Sequence, residues 1–259
     1  MIVCIAPLLA AVLSDNSAPI CRCRAQSPCF DNIPFNELNM SVNGRLVEVP
    51  DEFDACLSTT ATPSCQAQLN RTDEQFFYTD QVGGFLHTGL AAGGGKPSWD
   101  IAHNLSAYAV AAETPEDVAA GVAFAAKHNL RLAIKGTGHD WFGRSGSHPS
   151  FEGSLLIWTH KMKNIRWEND GFVPVDCDAS DAVDNAVSLQ AGIQFSDIYP
   201  VAEQRGRFVN GGGCTSVGVG GCTLGGCFGT FSQKFGASAN NVIQAKVCTY
   251  LPFTFYPTV

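Results

Sequence analysis

The stretch RLAIKGTGHDWFGRSG, residues 131–146, decides how the rest of the chain is read. An extended apolar run over 130–134 leads into a loop in which Gly136, Gly138, Gly143 and Gly146 alternate with polar residues around His139. Glycine lets a backbone adopt positive φ and come close to another group, and successive N–H groups in such a loop form an anion-binding nest. A pyrophosphate suits that nest. Arg144 can add a charge-assisted contact, or else be solvated or paired with a local carboxylate. A loop at the end of a strand is also where open α/β units bind ligands. The pattern is neither of the familiar nucleotide loops: no Gly-Lys-Ser/Thr ending follows, and GTGHDW lacks the third glycine of a dinucleotide-binding turn.

Upstream, LSAYAVAAETPEDVAAGVAFAAKHNL reads as a strand over 107–112 followed by a helix. Thr114 is the N-cap, Pro115 the first helical residue, and Asp117 closes a capping-box-like pair. Val118, Val122, Ala125 and Ala126 follow at helical spacing, and Asn129 suits a left-handed terminal residue before the next strand. Downstream, apolar patterning predicts strands at 154–159, 186–191 and 207–210, and a helix over 194–204. A second glycine cluster, VNGGGCTSVGVGGCTLGGCFGTFSQKFGASANNVIQAKV at 209–247, ends in a strand-like run from 241. Val217, Val219, Leu224, Phe228 and Phe231 make it too apolar for a solvated spacer and suggest backbone packed against a flat ligand.

At 259 residues and 45% hydrophobic content, the chain can bury a sizeable core in one large domain or two small ones. The formal charge of −8 and the singly scattered Lys and Arg argue against a nucleic-acid partner. An apolar run at 2–13 has the length of a signal-peptide core rather than of a membrane span, with a candidate cut after Ala18. Cys21, Cys23, Cys29, Cys56 and Cys65 crowd a turn-rich stretch, as disulfides of an exported protein do; their pairing is not readable from spacing. Asn39, Asn70 and Asn104 each fit the glycosylation pattern. No zinc knuckle spacing is present, and His87, His103, His128, His148 and His160 show no recurrent spacing with other ligands, so no metal is expected. The expected organisation is a signal peptide at 1–18, a Cys-rich extension at 19–95, a ligand-binding domain at 96–247 and a tail at 248–259. A secreted protein without a membrane span in its mature form follows.

The ordered set IKGTGHDWFGRSG, SLLIWTH, AGIQFSDIY, GGGCTSVGVGG, LGG and NNV, over roughly 105–247, resembles the FAD-linked oxidases of the vanillyl-alcohol oxidase and berberine-bridge enzyme type. That resemblance implies an α+β fold, a PCMH-type module of two α/β subdomains with FAD in the crease between them. By position it assigns cofactor binding to Lys135, Gly136, Thr137, Gly138, His139, Asp140, Gly143, Arg144, Ser145, Gly213, Cys214, Val217, Gly218, Gly221, Gly225 and Val242. His139 matches the histidine that bonds the flavin 8α carbon, a role suited to a neutral imidazole nitrogen. Cys214 matches a cysteine that some members add as a second tether, or is a buried unreacted thiol; attack would need a thiolate, from a starting pKa of about 8.5. Cys227 stands at a usual glycine position, and His160 falls near the flavin by position.

The implied reaction oxidises an alcohol-like small molecule, passes hydride to FAD and uses O₂ to form hydrogen peroxide. In the resembling enzymes the catalytic base lies in a C-terminal substrate domain. Because residues 248–259 depart from the family, the chain reads as a monomeric cofactor module alone, and no catalytic residue is named. The alternative is an inactive flavin-binding or structural fragment.

Overall fold

A computed structural model describes residues 22–51, 54–56, 62–71, 74–85, 105–140, 142–249 and 254–255. The expected signal peptide, the glycine-rich linker near 93, Asn104, His87 and His103 lie outside the described residues. In chain order the first elements are α1 (Phe35–Ser41), β1 (Leu46–Glu48), α2 (Pro63–Leu69) and α3 (Gln75–Asp80). Next come β2 (Tyr108–Ala111), α4 (Pro115–Lys127), β3 (Leu132–Lys135) and β4 (Leu155–Trp158). A second group comprises β5 (Ile165–Glu168), β6 (Ala186–Leu189), α5 (Phe195–Gln204), α6 (Val219–Leu224) and α7 (Ser232–Phe235). Two short strands, β7 (Val247–Cys248) and β8 (Thr254–Phe255), follow and pair with each other.

The predicted strand–helix–strand unit forms around α4. Thr114 Oγ1 accepts the N–H of Asp117, and the Asp117 carboxylate accepts the N–H of Thr114 in return. Asn129 takes φ +51° after the helix and lets the chain turn into β3. The sheet order is β1-β2-β4-β3, with β4 parallel to both β2 and β3. Every residue of β4 is buried, because Leu155 and Ile157 pack with Val118, Val122 and Phe124 of α4 while Leu156 and Trp158 fill the opposite face. Each fully buried aliphatic side chain of this kind contributes on the order of 2 kcal/mol.

The boundary expected near residue 95 does not separate two cores. Strand β1 pairs antiparallel with β2 at the sheet edge, and Leu38 and Val42 belong to the same buried cluster as α4 and β4. Phe35 lies 4.6 Å from the Tyr108 ring, and Asn39 Oδ1 accepts the N–H of Leu46. Arg45 reaches the buried Asp117 with two hydrogen bonds, of 2.6 and 3.0 Å. Burial would raise the Asp117 carboxyl, but Arg45 and the N–H groups of Glu113 and Thr114 outweigh it and hold it below the usual range.

Lys135, at the end of β3, makes a second tie to the N-terminal segment. Its side chain is fully buried, and Nζ donates to the carbonyls of Gln81 (2.7 Å), Val82 (2.9 Å) and Gly84 (2.7 Å), with the Phe85 ring at 4.5 Å. An ammonium has three hydrogens, and all three are placed.

The second group of elements has its own core of Leu189, Ile193, Phe195, Ile198 and Val219 beneath the antiparallel pair β5–β6. The helix predicted over 194–204 forms as α5, and the strand predicted from 186 forms as β6. Two expectations fail. Residues 207–210 join no ladder, because Arg207 N–H turns back to Ala202 O and Asn210 Nδ2 bonds Gly236 O. The run from 241 is largely irregular after a 3₁₀ turn at Ser238–Asn241, with only Val247–Cys248 in a strand.

Replacing Lys135 with Met is expected to leave three inward carbonyls without a donor and to destabilise the fold by about 3 kcal/mol or more. Urea unfolding checks this against Lys127→Met, an exposed site expected to change stability by less than about 0.5 kcal/mol.

Candidate functional site

The loop after β3 is shaped by one carboxylate. Asp140 accepts the backbone N–H groups of Phe142 (3.2 Å) and Ser145 (2.9 Å) and two guanidinium N–H groups of Arg144 (3.1 and 3.2 Å). Burial alone would raise its pKa; Arg144 and the two N–H groups outweigh that and lower it. The carbonyl of Gly143 then receives the N–H groups of Gly146, Ser147 and His148. The far half of the loop is therefore satisfied internally, and Arg144 is paired locally with Asp140. In the near half, the N–H groups of residues 137–140 bond to no described residue.

The second glycine loop is pinned to the start of α5. Phe195 N–H bonds Val217 O, Ser196 N–H bonds Thr215 O, and Gln194 Nε2 donates to Ser216 O at 2.9 Å. Gln194 is buried and held in turn by Lys163 Nζ on its Oε1, while Asp197 accepts both the Gln194 N–H and Lys163 Nζ. Tyr199 Oη closes the arrangement on Gly212 O at 2.6 Å.

These two loops meet. Gly218 N–H donates to Thr137 Oγ1 at 3.1 Å, and His139 Nε2 lies 2.8 Å from Ser216 Oγ. Cys214, which carries a thiol rather than a disulfide, has Sγ 3.4 Å from the same Ser216 Oγ. Glycine at 218 eases the approach, since a Cβ there would sit 3.1 Å from Thr137 Cγ2, tight enough that the side chain would have to give. Gly138, at φ +79°, turns the chain between Thr137 and His139. Burial pushes the His139 imidazole below its ordinary 6.5, so it is neutral at pH 7.

The remaining positions divide. A Cβ at Gly136 or Gly213 would touch nothing closer than 3.8 Å, and one at Gly221 nothing within 4 Å, so protein packing does not demand glycine there. Gly225 ends α6, and Val217 packs on the second core. Lys135 departs from the expected pyrophosphate contact, since its ammonium is consumed by the 81–84 carbonyls. Val242 also lies apart: it lines a cavity of about 500 Å³ with Trp167, Phe172 and Phe195, to which no residue of 135–146 contributes. Leu224, Phe228 and Phe231 are exposed, Phe231 with its ring edge-on to Phe208. Cys227 adopts φ +51° and bonds Cys222, which explains a side chain at a position suited to glycine.

His160 is buried beside Trp158, stacked at 5.4 Å, with Nε2 2.9 Å from Asp80. Desolvation, and then the charge of Lys163, lower its pKa to about 4 despite Asp80. Sequence reasoning missed Ser216 and Gln194. Ser216 lies in a turn closed by Val217 N–H on Cys214 O, so its place beside His139 comes from a contact across the chain rather than from local spacing.

The sequence profile of the family described as FAD binding domain matches residues 106–250, and the chain belongs to this family. It is 33% identical over 254 residues to FAD-linked oxidoreductase ZEB1 of Gibberella zeae, covering 94% of this chain and 43% of that protein. It is 32% identical to FAD-linked oxidoreductase patO of Aspergillus clavatus, covering 89% of this chain and 40% of the relative. Among solved structures it resembles the VAO-type flavoproteins MtVAO615 (TM-score 0.77, 25% identity) and MtVAO713 (TM-score 0.76, 28% identity) of Myceliophthora thermophila C1. Each match covers 92% of this chain, and 44% and 43% of those two chains respectively. The fold is thus the α+β fold of VAO-type FAD-binding proteins, and the chain spans about two fifths of the length of these relatives.

The residues present fit such a cofactor. The N–H groups of 137–140, which bond to no described residue, can receive a pyrophosphate, and the neutral imidazole of His139 belongs to the same loop.

Two outcomes follow. Gly218→Ala is expected to part the loops and lower bound flavin at least ~10-fold, read from the absorbance of purified protein. His160 has a folded pKa of about 4 against 6.5 unfolded, so the unfolded chain takes up the proton first and stability falls as pH drops from 6.5 through 4. His160→Asn should flatten that limb by up to about 1.4 kcal/mol per pH unit, measured by urea unfolding at pH 4.5 to 7.

Proposed function

We propose that this chain is the cofactor module of a secreted FAD-linked oxidase, with the flavin bonded covalently to His139. The observation that carries the reading is the meeting of the two loops through Thr137–Gly218 and His139–Ser216. It brings one neutral imidazole, and N–H groups that bond to no described residue, up against the second glycine loop. The backbone of 137–140 would hold the pyrophosphate, with the glycines at 136, 213 and 221 giving the flavin close approach. Bound FAD supplies a hydride acceptor and a centre that reacts with O₂. His139 tethers it, and Cys214, two bonds along the same chain of contacts, is the candidate second tether.

The substrate class is an alcohol-like small molecule, with hydrogen peroxide as the second product, and the protein is a monomer. Disulfides at Cys23–Cys29, Cys56–Cys65 and Cys222–Cys227 support an oxidising, extracytoplasmic setting, in which Asn39 and Asn70 would be glycosylated. A second reading is a flavin holder without turnover.

Expression with FAD followed by acid precipitation tests the first reading. The pellet is expected to keep its yellow colour in the wild type and to lose it in His139→Ala, and a colourless wild-type pellet would refute the covalent bond. Because burial lowers the His139 pKa from its ordinary 6.5, attachment should fall off with acid at a lower pH than a free imidazole would give, followed by fluorescence of the denatured band. Peroxide assays with small alcohols then separate an oxidase from an inert holder.

A further inference from the structure

Three successive carbonyls of the second glycine loop, those of Thr215, Ser216 and Val217, are taken by the start of α5. Two of the bonds come from main-chain N–H groups, Ser196 to Thr215 O at 2.8 Å and Phe195 to Val217 O at 3.1 Å. These do not depend on which side chains stand there. The bond to Ser216 O comes instead from a side chain, Gln194 Nε2 at 2.9 Å. Ser216 is also the residue whose hydroxyl stands 2.8 Å from His139 Nε2, so the peptide that Gln194 holds carries the side chain that meets the imidazole. Whichever of those two atoms gives the hydrogen, their contact sets where the ring stands.

Glutamine suits this place because its amide has a donor at one corner and an acceptor at the other. The Gln194 side chain is buried, and Lys163 Nζ, 3.0 Å from Oε1, fixes which corner faces Ser216. A cation beside the amide oxygen leaves the NH₂ group for the carbonyl and strengthens it as a donor. Lys163 is held in turn by Asp197 at 2.7 Å, and the same carboxylate accepts the Gln194 main-chain N–H. Main chain and side chain of residue 194 are thus both tied. An isolated bridge to Gly218 sets it directly across from the glycine that meets Thr137.

We propose that Gln194 is a positioning residue: by holding the Ser216 carbonyl it holds the His139 imidazole in place to bond the flavin, with Lys163 fixing the sense of the amide. Its part in bonding rests on the covalent attachment proposed above. In that attachment one imidazole nitrogen bonds the 8α carbon, and the carbon and the imidazole N–H each give up one proton. Two electrons pass with those protons to the flavin ring. Dioxygen then takes two electrons and two protons as hydrogen peroxide. Gln194 touches none of the reacting atoms; it acts through Ser216 on the geometry from which the nitrogen attacks.

The test compares wild type with Gln194→Met, which has neither corner, and Gln194→Glu, which keeps an oxygen for Lys163 but turns a second oxygen on Ser216 O. Lys127→Met is the exposed control. In flavin-free protein the His139 ring is titrated by proton NMR, its resonance identified by its loss in His139→Ala. The first-order rate of acid-stable attachment is then followed at saturating FAD, so that differences in uptake do not enter. Wild type and Lys127→Met should titrate together below 6.5, where burial holds the ring, and attach flavin at one rate. Gln194→Met should loosen the ring toward water, move its titration up toward 6.5 and attach flavin at least ~10-fold more slowly. Gln194→Glu should be as slow at neutral pH, and its rate decides the comparison if Gln194→Met does not fold. A Gln194→Met chain in which either the titration or the rate stays at its wild-type value, or a Gln194→Glu chain that attaches flavin as wild type does, overturns the role of Gln194 alone. A wild type that takes up FAD and never bonds it overturns the attachment at His139 and the part of Gln194 in that step, while the titration still reports whether residue 194 holds the imidazole.

Discussion

The hydrogen bond from Gly218 N–H to Thr137 Oγ1 is the constraint on which the site depends. It joins a loop that ends a parallel strand to a loop pinned on a separate helix, and it does so in a buried place where an unpaired N–H is costly. His139 and Ser216, each two residues along its loop from that bond, meet beside it. The missing Cβ at residue 218 eases the approach, since one there would come within 3.1 Å of Thr137 Cγ2.

Three aspartates carry the local geometry, and each does so by the same means. Asp117 receives the N–H groups that open α4, Asp140 receives those of the loop after β3, and Asp197 receives the one that opens α5. Each is also met by a cation, from Arg45, Arg144 and Lys163 respectively. Asp117 and Asp140 are held below the usual carboxylate range despite burial because both kinds of partner act on the charged form. The acidic balance of the chain is thus partly structural. For Asp140 this has a cost in ligand contacts, since it takes the N–H groups of Phe142 and Ser145 that a nest would otherwise offer to phosphate.

What could be read from the sequence was local. The Thr114–Asp117 pair, Pro115, Asn129 and the apolar spacing fixed the strand–helix–strand unit because those signals act within a few residues of chain. His139 and the order of the glycine loops pointed to the site for the same reason. Lys135, by contrast, was placed beside a pyrophosphate because its position in a motif says nothing of the carbonyls at 81–84, some fifty residues away, that take its hydrogens. Ser216 and Gln194 matter only through contacts across the chain, and the strand expected at 207–210 lost its ladder to bonds with Ala202 and Gly236. Val242 was carried over by position and stands in another cavity.

The embrace of Lys135 by the 81–84 carbonyls, together with β1 at the sheet edge, bears on how this protein can be trimmed. A minimal flavin carrier cut at residue 96 would look reasonable by composition. It would strand a cation directly beneath the strand that launches the histidine loop and strip the neighbouring sheet margin bare, inviting self-association. The cysteine-bearing leader is therefore the foundation of the cofactor cradle, and any useful miniaturisation must keep it.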